Sequence, residues 1–196
     1  IKRLLDIAIA SAMLLAGAPL LALVALAIKL ADGGPVLFRQ PRCGLNGRVF
    51  TLYKLRTMVE GAEDRLDEVA HLNEMNGPVF KAKSDPRVTR LGRLLRRFSL
   101  DELPQLWNVL RGDMSLVGPR PLVLAEHAAL SEAWQSRRAD LRPGLTGPWQ
   151  VSGRSNTTDA TRLRLDRLYV ENAGLALDLV VLARTPAAVL RGEGAV

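Results

Sequence analysis

No charged residue occurs between Ile7 and Ile28, and an apolar run of that length matches the roughly 20 residues a helix needs to cross a bilayer core. Gly17-Ala18-Pro19 interrupts the middle of the run. Proline removes a backbone donor and clashes with the preceding turn, so the sequence predicts a kink or break at that point. Lys2 and Arg3 precede the run and Lys29, Arg39 and Arg42 follow it, so the bias of basic residues toward the cytoplasm does not orient it. A helix that enters the membrane, bends at Pro19 and returns places both basic flanks on one face. Composition leaves this re-entrant form and a plain spanning helix both open, and disfavours a signal peptide, whose apolar core is shorter.

At 196 residues the chain suits one globular domain, with or without an appendage, and its 48% hydrophobic content supplies a sizeable core. Twenty-seven Lys and Arg against twenty Asp and Glu give a formal charge of +7, which calls for an anionic partner: nucleic acid, anionic lipid or a phosphorylated substrate. With aromatics at 5% there is little stacking surface for single-stranded nucleic acid. One cysteine, Cys43, excludes an internal disulfide, and His71 and His127 lack neighbours at zinc-ligand spacing. Because the chain starts at Ile1, an N-terminal extension stays open as an expectation.

Along the chain, Val36 to Gln40 and Arg48 to Met58 read as strands joined by a turn containing Asn46-Gly47, a strong hairpin signal. Glu60 to Asn73 has near-helical apolar spacing and predicts a solvated surface helix. Asn76-Gly77-Pro78 breaks that pattern, and Ser84-Asp85-Pro86 predicts the start of the next segment. From Thr89 to Phe98, Arg90, Arg93, Arg96 and Arg97 alternate with Leu91, Leu94, Leu95 and Phe98, an amphipathic pattern suited to an anionic membrane surface. The prolines of Gly118-Pro119-Arg120-Pro121 predict a rigid loop presenting the Arg120 fork. Leu124 to Arg138 predicts a helix, Arg142 to Pro148 a break leading to Trp149 and Arg154, and Thr158 to Tyr169 is compatible with helix or strand. The tail from Ala173 to Leu190 is apolar and either packs on the domain or lies on the membrane.

Two adjacent carboxylates stand at the centre of Arg96-Arg97-Phe98-Ser99-Leu100-Asp101-Glu102-Leu103-Pro104-Gln105-Leu106-Trp107. Ser99 and Glu102 fit a capping box, which accounts for the pair without any chemistry. In either helix register Asp101 and Glu102 sit at a helix N-terminus beside Arg96 and Arg97, an environment expected to favour their ionised forms. The alternative is phosphoryl chemistry: one acid holds a hard cation such as magnesium and the other attacks phosphorus.

In order and spacing, several motifs resemble the bacterial sugar transferase family, the monotopic polyprenyl-phosphate phosphoglycosyl transferases: the Lys2-Arg3 start with its broken apolar helix, Lys54-Leu55-Arg56-Thr57-Met58, Ser99 to Trp107, Asn108 to Pro121, and Pro143 to Arg154. The resemblance covers the whole chain. It implies a helix-rich α/β membrane-associated domain with a re-entrant helix over residues 1–31, a small β-hairpin, amphipathic interfacial helices, and a catalytic domain over 32–196. It also implies transfer of a sugar phosphate from a UDP-sugar to polyprenyl (undecaprenyl) phosphate at the cytoplasmic face of the bacterial inner membrane, with release of UMP. By resemblance Asp101 is the nucleophile, Glu102 the Mg2+ ligand, and Arg96, Arg120 and Arg154 phosphate contacts, with Lys54 and Asp166 in the same substrate-binding set. The implied partners are the two substrates and the lipid bilayer, not nucleic acid, and a homodimer is left open. A non-catalytic membrane-anchored scaffold of glycan assembly is the rival reading. The family bends its membrane helix at a Ser-Pro pair; here the pair is Ala18-Pro19, so the bend rests on Pro19 and Gly17.

Overall fold

In the computed structural model, which describes residues 1–73, 82, 84–154, 157–192 and 194, the uncharged run lies within one long helix, α1 (Lys2–Asp32). The backbone stays helical through Ala18 and Pro19. One face of α1 is covered along its length. Asp6, Ala10 and Ile28 are buried, and Ile9, Leu14, Leu21 and Val24 are partly covered, at the three- and four-residue spacing of a single helical stripe. The outward face is apolar and bare, with Leu15 78% and Leu23 66% exposed, which is unfavourable in water and natural in lipid.

Both ends of α1 are fastened to the same body. At the start, Arg3 donates to the carbonyls of Val109 (2.5 Å) and Leu110 (2.8 Å), capping the C-terminus of α4 (Gln105–Arg111), where cations are favoured. One turn later the buried Asp6 carboxylate accepts from the Ser115 hydroxyl (2.8 Å) and the Leu116 amide (3.0 Å). At the far end Asp32 accepts two bonds from the Arg56 guanidinium, one of them 2.7 Å, while Arg56 Nε donates to the Pro35 carbonyl at 2.6 Å.

The predicted hairpin forms from β1 (Leu37–Cys43) and β2 (Val49–Leu55), antiparallel with Leu37 opposite Leu55 and Cys43 opposite Val49. Its turn puts Asn46 (φ 54) and Gly47 (φ 71) in the left-handed region that this dipeptide tolerates. The second strand is shorter than its sequence pattern, because beyond Leu55 the chain turns under α3 (Arg90–Arg97) and only Met58 bridges, to Val88. Glu60 to Asn73 departs most from expectation: only α2 (Leu66–Val69) is α-helical, followed by a 3-10 turn over Ala70–Leu72. Gly61 at φ 71 turns the chain early, and no side chain caps the helix. Asn76-Gly77-Pro78 lies outside the described residues. Thr89, not Ser84, caps α3, accepting from the Gly92 amide at 2.9 Å, while Asp85 accepts from the Arg87 amide.

After α4 come β3 (Ser115–Val117), α5 (Leu124–Ala128), α6 (Glu132–Ala139), β4 (Gly144–Thr146), α7 (Pro148–Val151), α8 (Asp159–Glu171) and α9 (Leu175–Arg191). The helix expected over Leu124 to Arg138 is thus two, and α8 settles its segment as helical. The α9 backbone stays helical through Pro186. The parallel pairing of β3 with β4 was not foreseen, because three-residue strands leave no periodic signal. It zips two breaks together: Gly118 N donates to Thr146 O at 3.0 Å and Gly144 N to Pro119 O at 2.9 Å. A Cβ on Gly118 would lie 2.4 Å from the Arg142 carbonyl, so only glycine permits that approach. The main core gathers Ala10 of α1, Leu52 of β2, Leu106 and Val109 of α4, Leu116 and Val117 of β3, Tyr169 of α8 and Val181 of α9. Tyr169 donates to Asp178 at 2.6 Å, and Lys2 reaches the same carboxylate at 2.5 Å, so α8, α9 and α1 meet at one buried group.

Candidate active site

The local geometry of Ser99 removes the capping box. Ser99 sits at φ 54 and makes no side-chain cap; its hydroxyl accepts from Arg154 Nη1 at 2.9 Å. Glu102 does not reach back to the Ser99 amide either, since its Oε1 accepts from Lys54 Nζ at 2.7 Å. Asp101 and Glu102 instead lie on a 3-10 turn (Leu100–Glu102) that leads through Leu103 and Pro104 into α4. Arg154 is itself a non-glycine residue at φ 51. Two strained backbone positions joined side chain to side chain mark a place where packing over-determines the geometry.

The Lys54 end of the ion pair is set by Asn108, fully buried on α4. Its side chain accepts from the Tyr53 amide (3.2 Å) and donates to the Thr51 carbonyl (2.7 Å), locking β2 to the helix that follows the dyad. Arg96 is aimed by Thr57, whose hydroxyl accepts from its Nε at 3.0 Å. Thr57 in turn holds α3, accepting at its carbonyl from the Thr89 amide (3.0 Å). Arg120 leaves the rigid Gly-Pro-Arg-Pro loop with its guanidinium 5.0 Å above the Trp149 ring, a cation–π contact that fixes its plane.

Lys54, Arg96, Asp101, Glu102, Arg120 and Arg154 all line one open cleft of about 1570 Å3. Asp166 does not. It is buried on α8 and accepts from Arg138 Nη1 at 2.7 Å, and Arg138 Nη2 donates to the Arg120 carbonyl. Asp166 therefore acts on the cleft through the loop that carries Arg120 rather than by touching a ligand. Ala18 and Pro19 are exposed on α1, outside the cleft lining. The cleft also contains residues that sequence reading missed: Arg42 on β1, and Glu126 with Arg162 at 2.7 Å. Arg42 drew attention only as a basic flank of the apolar run, since an isolated arginine in a strand gives no further signal.

The two adjacent carboxyls titrate in opposite directions. Burial pushes Asp101 above the ordinary aspartate value of 3.8, with the Glu102 charge adding to the rise and Lys54 and Arg96 opposing it. This reverses the expectation that the helix N-terminus and arginines dominate; desolvation at 7% exposure outweighs them. Burial also works against the Glu102 carboxylate, but Lys54, Arg120 and Arg154 overcome it and hold Glu102 below the ordinary value. Burial lowers Arg96 against the pull of Asp101. The result is one carboxylate whose ionised form its cations favour beside one whose ionisation burial opposes, inside a rim of cations: an arrangement suited to binding polyanions and to acting on them.

Comparison with known proteins fits this geometry. The model of the family described as "Bacterial sugar transferase" matches residues 1–192. The galactosyl transferase CpsE of Streptococcus agalactiae is 44% identical over 165 residues, 84% of this chain and 36% of that protein. The exopolysaccharide production protein ExoY of Rhizobium meliloti is 43% identical over 197 residues, 98% of this chain and 87% of that protein. The UDP-glucose:undecaprenyl-phosphate glucose-1-phosphate transferase of Caulobacter vibrioides is 44% identical over 207 residues, 99% of this chain and 71% of that protein. The chain thus spans about a third of one relative and most of the other two, and it belongs to the bacterial sugar transferase family.

Proposed function

We propose that this chain transfers a sugar phosphate from a UDP-sugar to polyprenyl phosphate, releasing UMP, through a phosphosugar held covalently on Asp101. The observation that carries the reading is the diversion of Ser99 and Glu102 from capping: each is spent on a cation, and those cations converge with Arg96 and Arg120 on one cleft around Asp101. A turn that merely started a helix would keep both side chains on its own backbone. The Caulobacter relative, named for transfer of glucose 1-phosphate from UDP-glucose to undecaprenyl phosphate, gives the substrate class.

In the first step an Asp101 carboxylate oxygen attacks the sugar-side phosphorus, a P–O bond forms, and the bond to the bridging oxygen breaks, with UMP leaving as that oxygen's owner. In the second, an oxygen of the lipid phosphate attacks the same phosphorus and the bond to Asp101 breaks, returning the carboxylate. Arg96, Arg120 and Arg154 stabilise the charge on the phosphoryl oxygens and the leaving group. The raised pKa of Asp101 makes its carboxylate more basic and a stronger nucleophile than an exposed aspartate, once it is ionised.

Magnesium fits the donor set in a limited way. No group of three or more His, Cys, Asp or Glu gathers among the described residues, so no all-protein cage exists. Mg2+ ordinarily takes one or two carboxylates and completes its shell with water and substrate phosphates. Glu102, whose ionised form its cations favour, is the carboxylate that would hold it, and the ion would supply charge neutralisation on the diphosphate. Re-entry of α1 is supported by its fastening at both ends to one body, and it would place the cleft at the cytoplasmic face of the inner membrane, where a soluble nucleotide sugar and a lipid phosphate meet.

The test is UMP release with a panel of UDP-sugars and polyprenyl phosphate. The Asp101→Asn variant is expected to lose at least ~1,000-fold in rate, the scale of removing a covalent nucleophile, and to form no labelled enzyme. Full activity in Asp101→Asn would sink the nucleophile assignment, and a wild-type chain that binds membranes yet never releases UMP would favour the scaffold.

A further inference from the structure

Four arginines are buried among the described residues: Arg42, Arg56, Arg87 and Arg138. Three of them have a carboxylate in direct hydrogen-bonded contact, Asp32 for Arg56, Asp85 for Arg87 (2.7 Å) and Asp166 for Arg138 (2.7 Å). Arg42 has only a long ion pair. Its nearest carboxylate oxygen, on Glu126, is 3.9 Å away, and that side chain is already held by Arg162 at 2.7 Å and by the Val123 amide at 3.1 Å. Arg42 Nη1 donates to the Pro121 carbonyl (3.0 Å) and Nη2 to Gln40 Oε1 (2.5 Å), while Nε is buried without a partner.

Arg120 repeats the pattern from the other side of the same loop. Its Nε is also buried without a partner, it makes no ion pair among the described residues, and its charge acts directly on Arg42. Burial, with Arg120 adding, pushes the Arg42 guanidinium down to about 10. Two desolvated like charges on the wall of a cleft are costly unless an anion meets them. The other buried arginines hydrogen-bond a carboxylate directly, whereas here Glu126 and Glu102 act only at longer range and two Nε donors in the cleft lining stay unspent.

We infer that Arg42, set beside Arg120 on the cleft wall, adds a further phosphate contact to the site, which binds a phosphate group of one of the two substrates. The inference rests on the transferase reading and deepens it: a double displacement handles two phosphates besides the one transferred, the UMP phosphate and the resulting lipid diphosphate's proximal phosphate. Either presents oxyanions to a guanidinium fork and carries the charge that the pair lacks.

The two sources separate kinetically in the full chain held in detergent. One arm follows exchange of labelled UMP into UDP-sugar without lipid; the other follows transfer from the labelled enzyme to polyprenyl phosphate. Arg42→Gln is expected to raise the half-saturating concentration of one substrate by roughly 10- to 100-fold and leave the other near wild type, with Arg42→Lys in between. The arm that moves names the phosphate. Inorganic pyrophosphate is a third readout, expected to raise the melting temperature of the wild type more than that of Arg42→Gln. Unchanged half-saturation in both arms, or an equal loss of rate in both with undiminished pyrophosphate stabilisation, overturns the contact and leaves Arg42 a holder of Pro121. Wild-type protein that shows no exchange would defeat the transferase reading, while its pyrophosphate response would still report on the contact.

Discussion

Asp101 and Glu102 share a peptide bond and differ in environment. Glu102 faces Lys54 at 2.7 Å, while Asp101 is 7% exposed and has no ion pair that close among the described residues. Since the pKa of Asp101 is raised by burial, the ionised form that the proposed mechanism requires is depleted as pH falls toward that value. The acid limb of kcat/KM is expected above the ordinary aspartate value of 3.8, set by the coupled pair rather than by one residue. Lys54 opposes the rise, so Lys54→Met should move the limb to higher pH and reduce the rate roughly 100- to 1,000-fold, the scale of losing one preorganised charge at a phosphoryl centre. A pH–rate profile of both proteins checks this, and a limb that stays put or moves down would show that Lys54 does not govern the pair. The linkage has the opposite sign for stability. An acid with a raised folded pKa favours the fold at low pH and weakens it as pH rises through that pKa, so Asp101→Asn should melt higher than wild type at neutral pH.

At the level of elements, the site depends on close backbone approaches at glycine. A Cβ built on Gly92 lies 2.0 Å from the Thr57 carbonyl, so Gly92→Ala must push α3 away from the segment that holds Arg96. The expected cost is about 1–3 kcal/mol of stability, as for other overpacked contacts, with a fall in activity larger than the fall in folded fraction because the Thr57–Arg96 bond of 3.0 Å is lengthened. Thermal melting beside UMP release measures both, and unchanged melting would refute the clash. Much of this framework was legible in sequence: the Asn46-Gly47 hairpin, the amphipathic α3, the apolar α1 and the rigid loop at Arg120 each follow a local rule. What was not legible is contact between segments distant in sequence. Nothing local tells Ser99 to turn left-handed toward Arg154, Arg42 to come within electrostatic reach of Arg120, or β3 to pair in parallel with β4. Asp166 shows the same limit from the other side: motif position marked it as a ligand contact, and packing assigned it to Arg138. The predicted helix over Glu60 to Asn73 failed because period alone does not stabilise a helix that buries little, with only Ala62 and Val69 buried in it.

For the molecule as a whole, α1 has to reconcile an apolar outer face with two anchored ends. A straight helix of this length extends about 46 Å at 1.5 Å per residue, enough to separate its ends across a bilayer core of ~30 Å. Its ends are instead held by one body, Arg3 and Asp6 by α4 and β3, and Asp32 by Arg56. If that body stays intact in the membrane, the two ends lie on one side and the bare face around Leu15 and Leu23 enters a single leaflet. The proposal of re-entry therefore makes a topological prediction that does not depend on the chemistry. In a Cys43→Ser background, cysteines placed singly at exposed Ile1 and Leu30 should react with a membrane-impermeant thiol reagent from the same side, in sealed vesicles of known orientation. Labelling from opposite faces would mean that the chain separates in lipid what it packs together here, and would refute re-entry while leaving the cleft and its arginines in place. Asp6→Asn or Arg56→Gln should loosen one anchor without moving the other. Asp6→Asn is expected to cost about 1–3 kcal/mol, since its partners Ser115 and Leu116 are buried, and Arg56→Gln less, since its partner Asp32 is exposed. Labelling should remain one-sided in both variants if either anchor suffices for re-entry, and should become two-sided if both are needed to prevent spanning.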